Sequence, residues 1–179
     1  MVNSVTELMY PAASCVFALA GAAFDVRSRR VPNFLTLPGI ACGLLLHLVF
    51  GGWAQLGLAA AAGLICGLIF LVFWLAGGMG AGDVKLITAV GCLAGLPHVA
   101  PLLISTALAG GVMALGMAVL RGRAKETLLN VGALAIHHRF EGLTPHPLLN
   151  ISNSQTLRLP YAVPIAAGCV IALFLAMPR

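Results

Sequence analysis

The chain contains two aspartates, Asp25 and Asp83, and each lies beside an apolar run, where a membrane boundary is expected. An ionised carboxylate close to hydrocarbon is costly and is usually retained for function. Two converging carboxylates share a proton, because neighbouring like charges do not both ionise cheaply. One carboxylate of such a pair can act as general base on water while its protonated partner donates to a substrate carbonyl oxygen. The two aspartates therefore predict a water-activating site.

The approach to Asp83 is rich in glycine, with Gly77, Gly78, Gly80 and Gly82 in the six residues before it. Glycine frees the backbone from helical geometry and lets another chain come close, as is needed to hold an extended peptide beside a carboxylate. Irregular backbone at membrane depth must be buried or line a water-filled cavity. A second interpretation is a glycine-rich loop in which Asp83 caps the following helix.

The composition requires these aspartates to be held by membrane-spanning helices. Of 179 residues, 60% are hydrophobic and 8% are charged, whereas soluble domains carry about a quarter charged residues. A soluble globular domain is therefore excluded, and the fold expected is all-α: a polytopic membrane helix bundle forming a single domain over residues 1–179. Six apolar runs are candidate spans: 8–24, 34–50, 55–76, 84–97, 99–120 and 160–178. The fourth is short and gains length only if it continues from the loop that contains Asp83.

The basic residues predict an orientation for the bundle. Eight of the ten Lys and Arg side chains fall in the loops 25–33 and 121–159, and a ninth, Lys85, lies where the loop before 84–97 leads into that run. These three loops lie on the same side of the predicted bundle. Because Lys and Arg are retained in the cytoplasm, we expect about six transmembrane helices with both termini outside and both aspartates at the cytoplasmic face. Segment 121–159 is too polar to span, and 127–136 within it is expected to form a short interfacial helix.

Other polar and sulfur-containing residues indicate no further chemistry. The five cysteines lie in apolar runs without CxxC spacing, and His137, His138 and His146 do not have the spacing of a metal site, so neither a metal nor a cofactor is expected. His47 is expected to be a packing residue near the outer end of its span. The net charge of +5 is scattered in short clusters without interleaved aromatic residues, which favours membrane lipid headgroups over nucleic acid as the anionic partner.

Three motifs resemble those of type IV prepilin peptidases. Residues 78–86 (GMGAGDVKL) are similar to the GxGD motif of that family, and residues 25–33 (DVRSRRVPN) resemble its first-helix aspartate followed by a basic loop ending in Pro-Asn. Residues 159–164 (LPYAVP), followed by Gly168, are similar to its last-helix pattern. GxGD by itself is shared with presenilin-like proteases, whereas the three motifs in this order cover nearly the whole chain.

The resemblance implies a multi-pass intramembrane aspartic endopeptidase of the bacterial inner membrane, which removes the short basic leader of prepilins and pseudopilins at the cytoplasmic face. It implies that Asp25 and Asp83 are catalytic and that the motif residues position the substrate or the pair; these are Pro32, Asn33, Gly80, Gly82 and Lys85. For Lys85, both a structural role and a pKa-tuning role are open. Asn33 is a candidate either to hydrogen-bond substrate backbone or to cap the second helix.

The chain also departs from the longer members of that family. Those carry an insert with paired CxxC motifs, associated with N-methylation, between the first two helices, and here only a few residues separate Asp25 from the second span. The short form resembles the peptidases of tight-adherence (Flp-type) pili, and the same short architecture also resembles archaeal-type preflagellin peptidases. The alternative function is a small transporter or channel in which the aspartates bind a cation.

Overall fold

The computed structural model describes residues 4–29, 31–144 and 160–177, and this part of the chain is helical with no strands. Sequence expectations for Arg30, His146, Arg158 and Leu159 lie outside the described residues. The helices are α1 (Ser4–Ser28), α2 (Asn33–Leu75), α3 (Ala81–Ala94), α4 (Val99–Leu120), α5 (Ala124–Glu141) and α6 (Ala162–Ala176), with one 3₁₀ turn (Leu96–His98) between α3 and α4.

Helix α2 holds two of the predicted spans and reverses direction between them. Gly52 has φ 72° and ψ −170°, which interrupts the helix. A Cβ added at Gly43 would lie 2.8 Å from the carbonyl carbon of Cys92, and one added at Gly63 would overlap the Cys92 sulfur. In one straight helix these glycines would be about 30 Å apart. Both can lie against Cys92 only because the chain turns back at Gly52.

The predicted polytopic helix bundle is confirmed. Three segments are long and apolar enough to cross a membrane: Leu8–Ser28, Asn33–Leu75 and Leu96–Leu120. The reversal in α2 makes its two halves, 33–51 and 53–75, separate crossing segments. Helices α1 and α4, the two halves of α2, and the shorter apolar helices α3 and α6, of 14 and 15 residues, together make about six transmembrane helices.

Helix α3 lies at the centre of the bundle, packed against both halves of α2 and against α1, while α6 packs between α1 and α4. The α3 side chains of Leu86, Ile87 and Val90 are fully buried. Small residues on the surrounding helices permit this close approach, which is how helices associate in lipid without a hydrophobic driving force between them. Large apolar side chains such as Val49 and Val112 point outward, as expected for contact with lipid.

Two polar features outside the centre follow the sequence expectations. His47 is buried, stacks on Tyr10 and has Nε2 3.3 Å from the carbonyl oxygen of Leu93, which agrees with a packing role. The helix expected over 127–136 is present but longer, because α5 begins at Ala124 and ends at Glu141.

Candidate active site

Four helix ends meet at one end of the bundle. The last turn of α1 and the first turns of α2 and α3 surround an open cleft of about 280 Å³, and the start of α6 lies against Asp25. The side chains and backbone of nine residues line it: Asp25, Arg29, Val31, Asn33, Gly80, Ala81, Gly82, Asp83 and Lys85. The structure therefore brings the residues of two motifs, which are distant in sequence, into one site.

Asp25 lies in the last turn of α1 and is 8% exposed. Its Oδ2 accepts a hydrogen bond from the backbone N–H of Ala162, at 3.4 Å, where α6 begins. The positive end of the α6 dipole therefore faces this carboxylate and favours its ionised form. Arg29 follows in a left-handed conformation (φ 52°), and its guanidinium interacts electrostatically with Asp25.

Asp83 is the third residue of α3, outside the long apolar spans, and is also 8% exposed. Its Oδ2 accepts a hydrogen bond from the backbone N–H of Gly80, at 3.2 Å, as the capping interpretation predicted. Burial, followed by the charge of Asp25, raises the pKa of Asp83 from 3.8 to about 7, against the opposing effect of the Gly80 hydrogen bond. This carboxyl therefore keeps its proton to a higher pH than an ordinary aspartate does.

The two predicted aspartates converge on the same cleft in unlike surroundings. Both carboxyls are 8% exposed, so burial disfavours a negative charge on either of them. At Asp25 a helix N-terminus and the charge of Arg29 oppose this effect of burial. Asp83 is held by a single backbone N–H, and its burial favours the neutral form. Two carboxyls that share one proton are able to supply a base and an acid to one substrate, and this cleft holds two carboxyls.

Glycines set the spacing between the elements that carry the aspartates. A methyl group at Gly21, one turn before Asp25, would lie 2.6 Å from Cδ1 of Leu86, which follows Asp83 by three residues. A methyl group at Gly82 would lie 3.3 to 3.5 Å from Cβ, N and O of Val31. These two contacts bring the start of α3 against both α1 and the short segment that joins α1 to α2.

The Pro-Asn motif is joined to the start of α3 by a side-chain hydrogen bond. Pro32 occupies the N-cap position of α2 with an extended backbone, and its carbonyl oxygen accepts backbone hydrogen bonds from Leu35 and Thr36. The Nζ of Lys85 donates to Oδ1 of Asn33 at 2.9 Å. In the described part of the chain the Lys85 ammonium forms no ion pair with either aspartate.

Some residues of the site were not singled out by the sequence reasoning. Gly21, Leu86 and Val31 determine how closely the helices approach, and Ala162 supplies a backbone N–H rather than a side chain. A signal existed for Ala162, since it lies inside the LPYAVP motif, but a backbone donor leaves no mark in residue type. Leu159 of that motif lies outside the described residues.

The fold and the site define a class: a polytopic helix bundle that presents a buried carboxylate pair at one end. Residues 12–115 match the type IV leader peptidase family (Peptidase_A24), and the chain belongs to that family. This confirms the resemblance to the family; the matched residues contain the motifs at 25–33 and 78–86, while the motif at 159–164 lies outside them.

Several curated relatives carry the name prepilin leader peptidase/N-methyltransferase. The one from Burkholderia pseudomallei is 36% identical over 117 residues, covering 61% of this chain and 37% of the relative. The one from Xanthomonas campestris pv. campestris is 31% identical over 127 residues (66% and 43%), and the one from Aeromonas hydrophila is 36% identical over 105 residues (54% and 36%). The matched part thus spans well under half the length of these relatives. No solved structure matches the chain.

Proposed function

We propose that this protein is an intramembrane aspartic endopeptidase that cleaves the short basic leader of prepilins or pseudopilins. The observation that carries the proposal is the convergence of Asp25 and Asp83 on one open cleft, with the pKa of Asp83 raised to about 7. A carboxyl that titrates near neutral pH beside a second, charge-stabilised carboxylate is the arrangement that acid–base hydrolysis requires.

In the mechanism we propose, Asp25 is the base and Asp83 is the acid. Ionised Asp25 takes a proton from a water molecule, whose oxygen attacks the scissile carbonyl carbon, while protonated Asp83 donates its proton to the carbonyl oxygen. The resulting tetrahedral diol collapses: Asp25 gives its proton to the leaving nitrogen as the C–N bond breaks, and Asp83 recovers a proton from a hydroxyl. The pair ends with one proton, as it began.

The motif residues have structural tasks in this proposal. Gly80 provides the backbone N–H that holds Asp83, and Gly82 lets the start of α3 lie against Val31. Pro32 ends the link from α1 and starts α2, which places Asn33 on the rim of the cleft. A rigid set of helix ends holds the carboxylates in place more accurately than loops would.

We base the proposed substrate on the family and the proposed orientation in the membrane on the basic loops. The relatives are named for prepilin leader cleavage, and the basic loops of this chain favour a cytoplasmic location for the cleft in the bacterial inner membrane. We do not extend the methyltransferase part of the relatives' names to this chain, because residues 29–32 alone join α1 to α2. We therefore expect this protein to cleave the leader of a prepilin and not to methylate the product.

The test is leader cleavage in a bacterial host that lacks other prepilin peptidases. Wild type, Asp25→Asn, Asp83→Asn and the control Glu126→Gln are compared with a co-expressed prepilin at matched membrane levels, and cleavage is read as a gel shift. Glu126 is an exposed carboxylate on α5 paired with Arg123, so its loss should leave cleavage intact. We expect cleavage by wild type and Glu126→Gln only. Cleavage by either aspartate variant contradicts the mechanism, and aspartate-dependent cation flux in vesicles without cleavage would favour the transporter alternative.

A further inference from the structure

The hydrogen bond between Lys85 and Asn33 fixes which way the Asn33 amide faces. A lysine ammonium has donors and no acceptor, and the amide of asparagine has one acceptor atom, Oδ1, and one donor group, Nδ2. With Nζ of Lys85 2.9 Å from this amide, only Oδ1 can face the lysine. The two N–H bonds of Nδ2 must therefore point away from Lys85.

The Nδ2 group is left available on the rim of the cleft. Asn33 and Lys85 both line the cleft that holds Asp25 and Asp83, and both are exposed. Within the described ranges no protein acceptor takes a hydrogen bond from Nδ2. An extended peptide lying beside the carboxylates offers backbone carbonyl oxygens, which are strong acceptors that need a donor once they leave water.

The charge of Lys85 is committed to this amide rather than to the aspartates. Within the described part of the chain Lys85 forms no ion pair with Asp25 or Asp83. The pKa of Asp83 is shifted by burial, by the charge of Asp25 and by the Gly80 N–H, and Lys85 is not among these causes. Of the two roles open for Lys85, the contacts favour the structural one. The Lys85 ammonium repels the ammonium groups of a basic leader, so it does not itself recognise one.

We infer that Asn33 binds substrate by donating from Nδ2 to a backbone carbonyl oxygen of the bound peptide, and that Lys85 is the positioning residue that orients the Asn33 amide. The inference rests on the proposed function and adds to it a backbone-recognition contact separate from the carboxylate pair. Recognition through the backbone is independent of the substrate's side chains, so it would serve every leader that enters the cleft.

The substitution Asn33→Asp distinguishes a substrate-binding role of Asn33 from a purely structural one. It preserves an oxygen that accepts from Lys85 but removes the N–H donors, whereas Asn33→Leu removes both groups at similar size. Lys85→Met removes the donor to the amide and keeps the stem, and Lys85→Arg keeps a donor-only cation. Kinetics are measured with purified chain in detergent and a purified prepilin that the wild type cleaves in the experiment above.

We expect Asn33→Asp and Asn33→Leu each to raise KM about tenfold or more with kcat changed less, because a ground-state hydrogen bond is lost. Lys85→Met should raise KM by a smaller factor, Lys85→Arg should stay near wild type, and the double variant Asn33→Leu/Lys85→Met should be no worse than Asn33→Leu. Two outcomes would overturn the inference: wild-type KM in Asn33→Asp, or additive losses in the double variant. Unfolding temperatures near that of wild type confirm that the losses are not losses of fold.

The two proposals fail in different ways. If the wild type leaves the prepilin uncut or an aspartate variant cuts it, the proposed function is wrong and the Asn33 inference, which depends on that function, falls with it. If the wild type and Asn33→Asp cut equally well while both aspartate variants are inactive, the function stands and the Asn33 inference alone is wrong.

Discussion

The contact between Gly21 and Leu86 should control the separation of the two aspartates. Gly21 precedes Asp25 by four residues on α1, and Leu86 follows Asp83 by three residues on α3, so their contact lies one turn below the carboxylates. Gly21→Ala would place a methyl carbon 2.6 Å from Cδ1, 2.9 Å from Cδ2 and 3.3 Å from Cγ of Leu86. Carbon atoms in ordinary contact are at least about 3.5 Å apart. The helices must therefore separate by about 1 Å or Leu86 must move.

Leu86 has little room to move, because it is fully buried beside Ile87 and Val90. Overpacking of this kind costs about 1 to 3 kcal/mol of stability. A displacement of about 1 Å between reacting groups can reduce a catalysed rate about a hundredfold. We therefore expect Gly21→Ala to lower kcat for leader cleavage by about 10- to 100-fold and to lower the unfolding temperature.

The assay combines leader cleavage by purified chain with unfolding followed by a thiol-reactive fluorophore. Cys66 and Cys169 are almost fully buried and become reactive only when the bundle opens. Gly111→Ala on α4 is the matched control, because a Cβ there meets nothing within 4 Å. It should leave cleavage unchanged and stabilise the helix by up to about 1 kcal/mol.

A second substitution tests the steric cause directly. Leu86→Ala removes Cγ, Cδ1 and Cδ2, the three atoms that the new methyl group would meet, at a cost of about 2 to 5 kcal/mol. In the Leu86→Ala background, Gly21→Ala should be neutral or beneficial for both cleavage and stability. Wild-type cleavage by Gly21→Ala, or losses that simply add in the double variant, would refute the reasoning.

Three further predictions follow from the same structure. Because the acid form of Asp83 is required and its pKa is raised to about 7, kcat/KM should fall about tenfold per pH unit above pH 7; a decline beginning near pH 4, where an ordinary carboxyl titrates, would contradict the assignment of the acid. A cysteine introduced as Lys125→Cys in a Cys42→Ser background should react with a membrane-impermeant thiol reagent in inverted vesicles and not in intact cells, and the opposite pattern would reverse the proposed orientation. Gly43→Ala would place Cβ 2.8 Å from the Cys92 backbone, which cannot rotate away, so it should lower the unfolding temperature more than Gly111→Ala does.

The sequence predicted those features of the structure that depend on residue type and order. The apolar runs predicted the helices, because a backbone in lipid must satisfy its own hydrogen bonds and therefore forms helices. The runs 34–50 and 55–76 were predicted as two spans, and α2 contains both, reversing at Gly52. The run 84–97 was predicted as one span, and the structure divides this part of the chain into α3 and a 3₁₀ turn.

The glycine-rich stretch before Asp83 supported two interpretations that the sequence could not separate. The structure shows the cap, because Asp83 accepts the Gly80 N–H, and it also places Asp83 in the cleft that contains Asp25, so the two interpretations do not exclude each other. Sequence treats capping and site formation as alternatives, since it describes one element at a time. One carboxylate has enough acceptor positions to do both once a second helix is brought beside it.

The sequence by itself therefore determined the membrane class, the apolar segments, the family and which two carboxylates were expected to meet. All of these depend on composition, periodicity or motif. The tertiary structure alone decided which backbone N–H holds each carboxylate, that Lys85 contacts Asn33 rather than an aspartate, and that Gly21 sets the spacing against Leu86. These contacts join residues from different helices, and the distances between helices arise from packing, which no single stretch of sequence encodes.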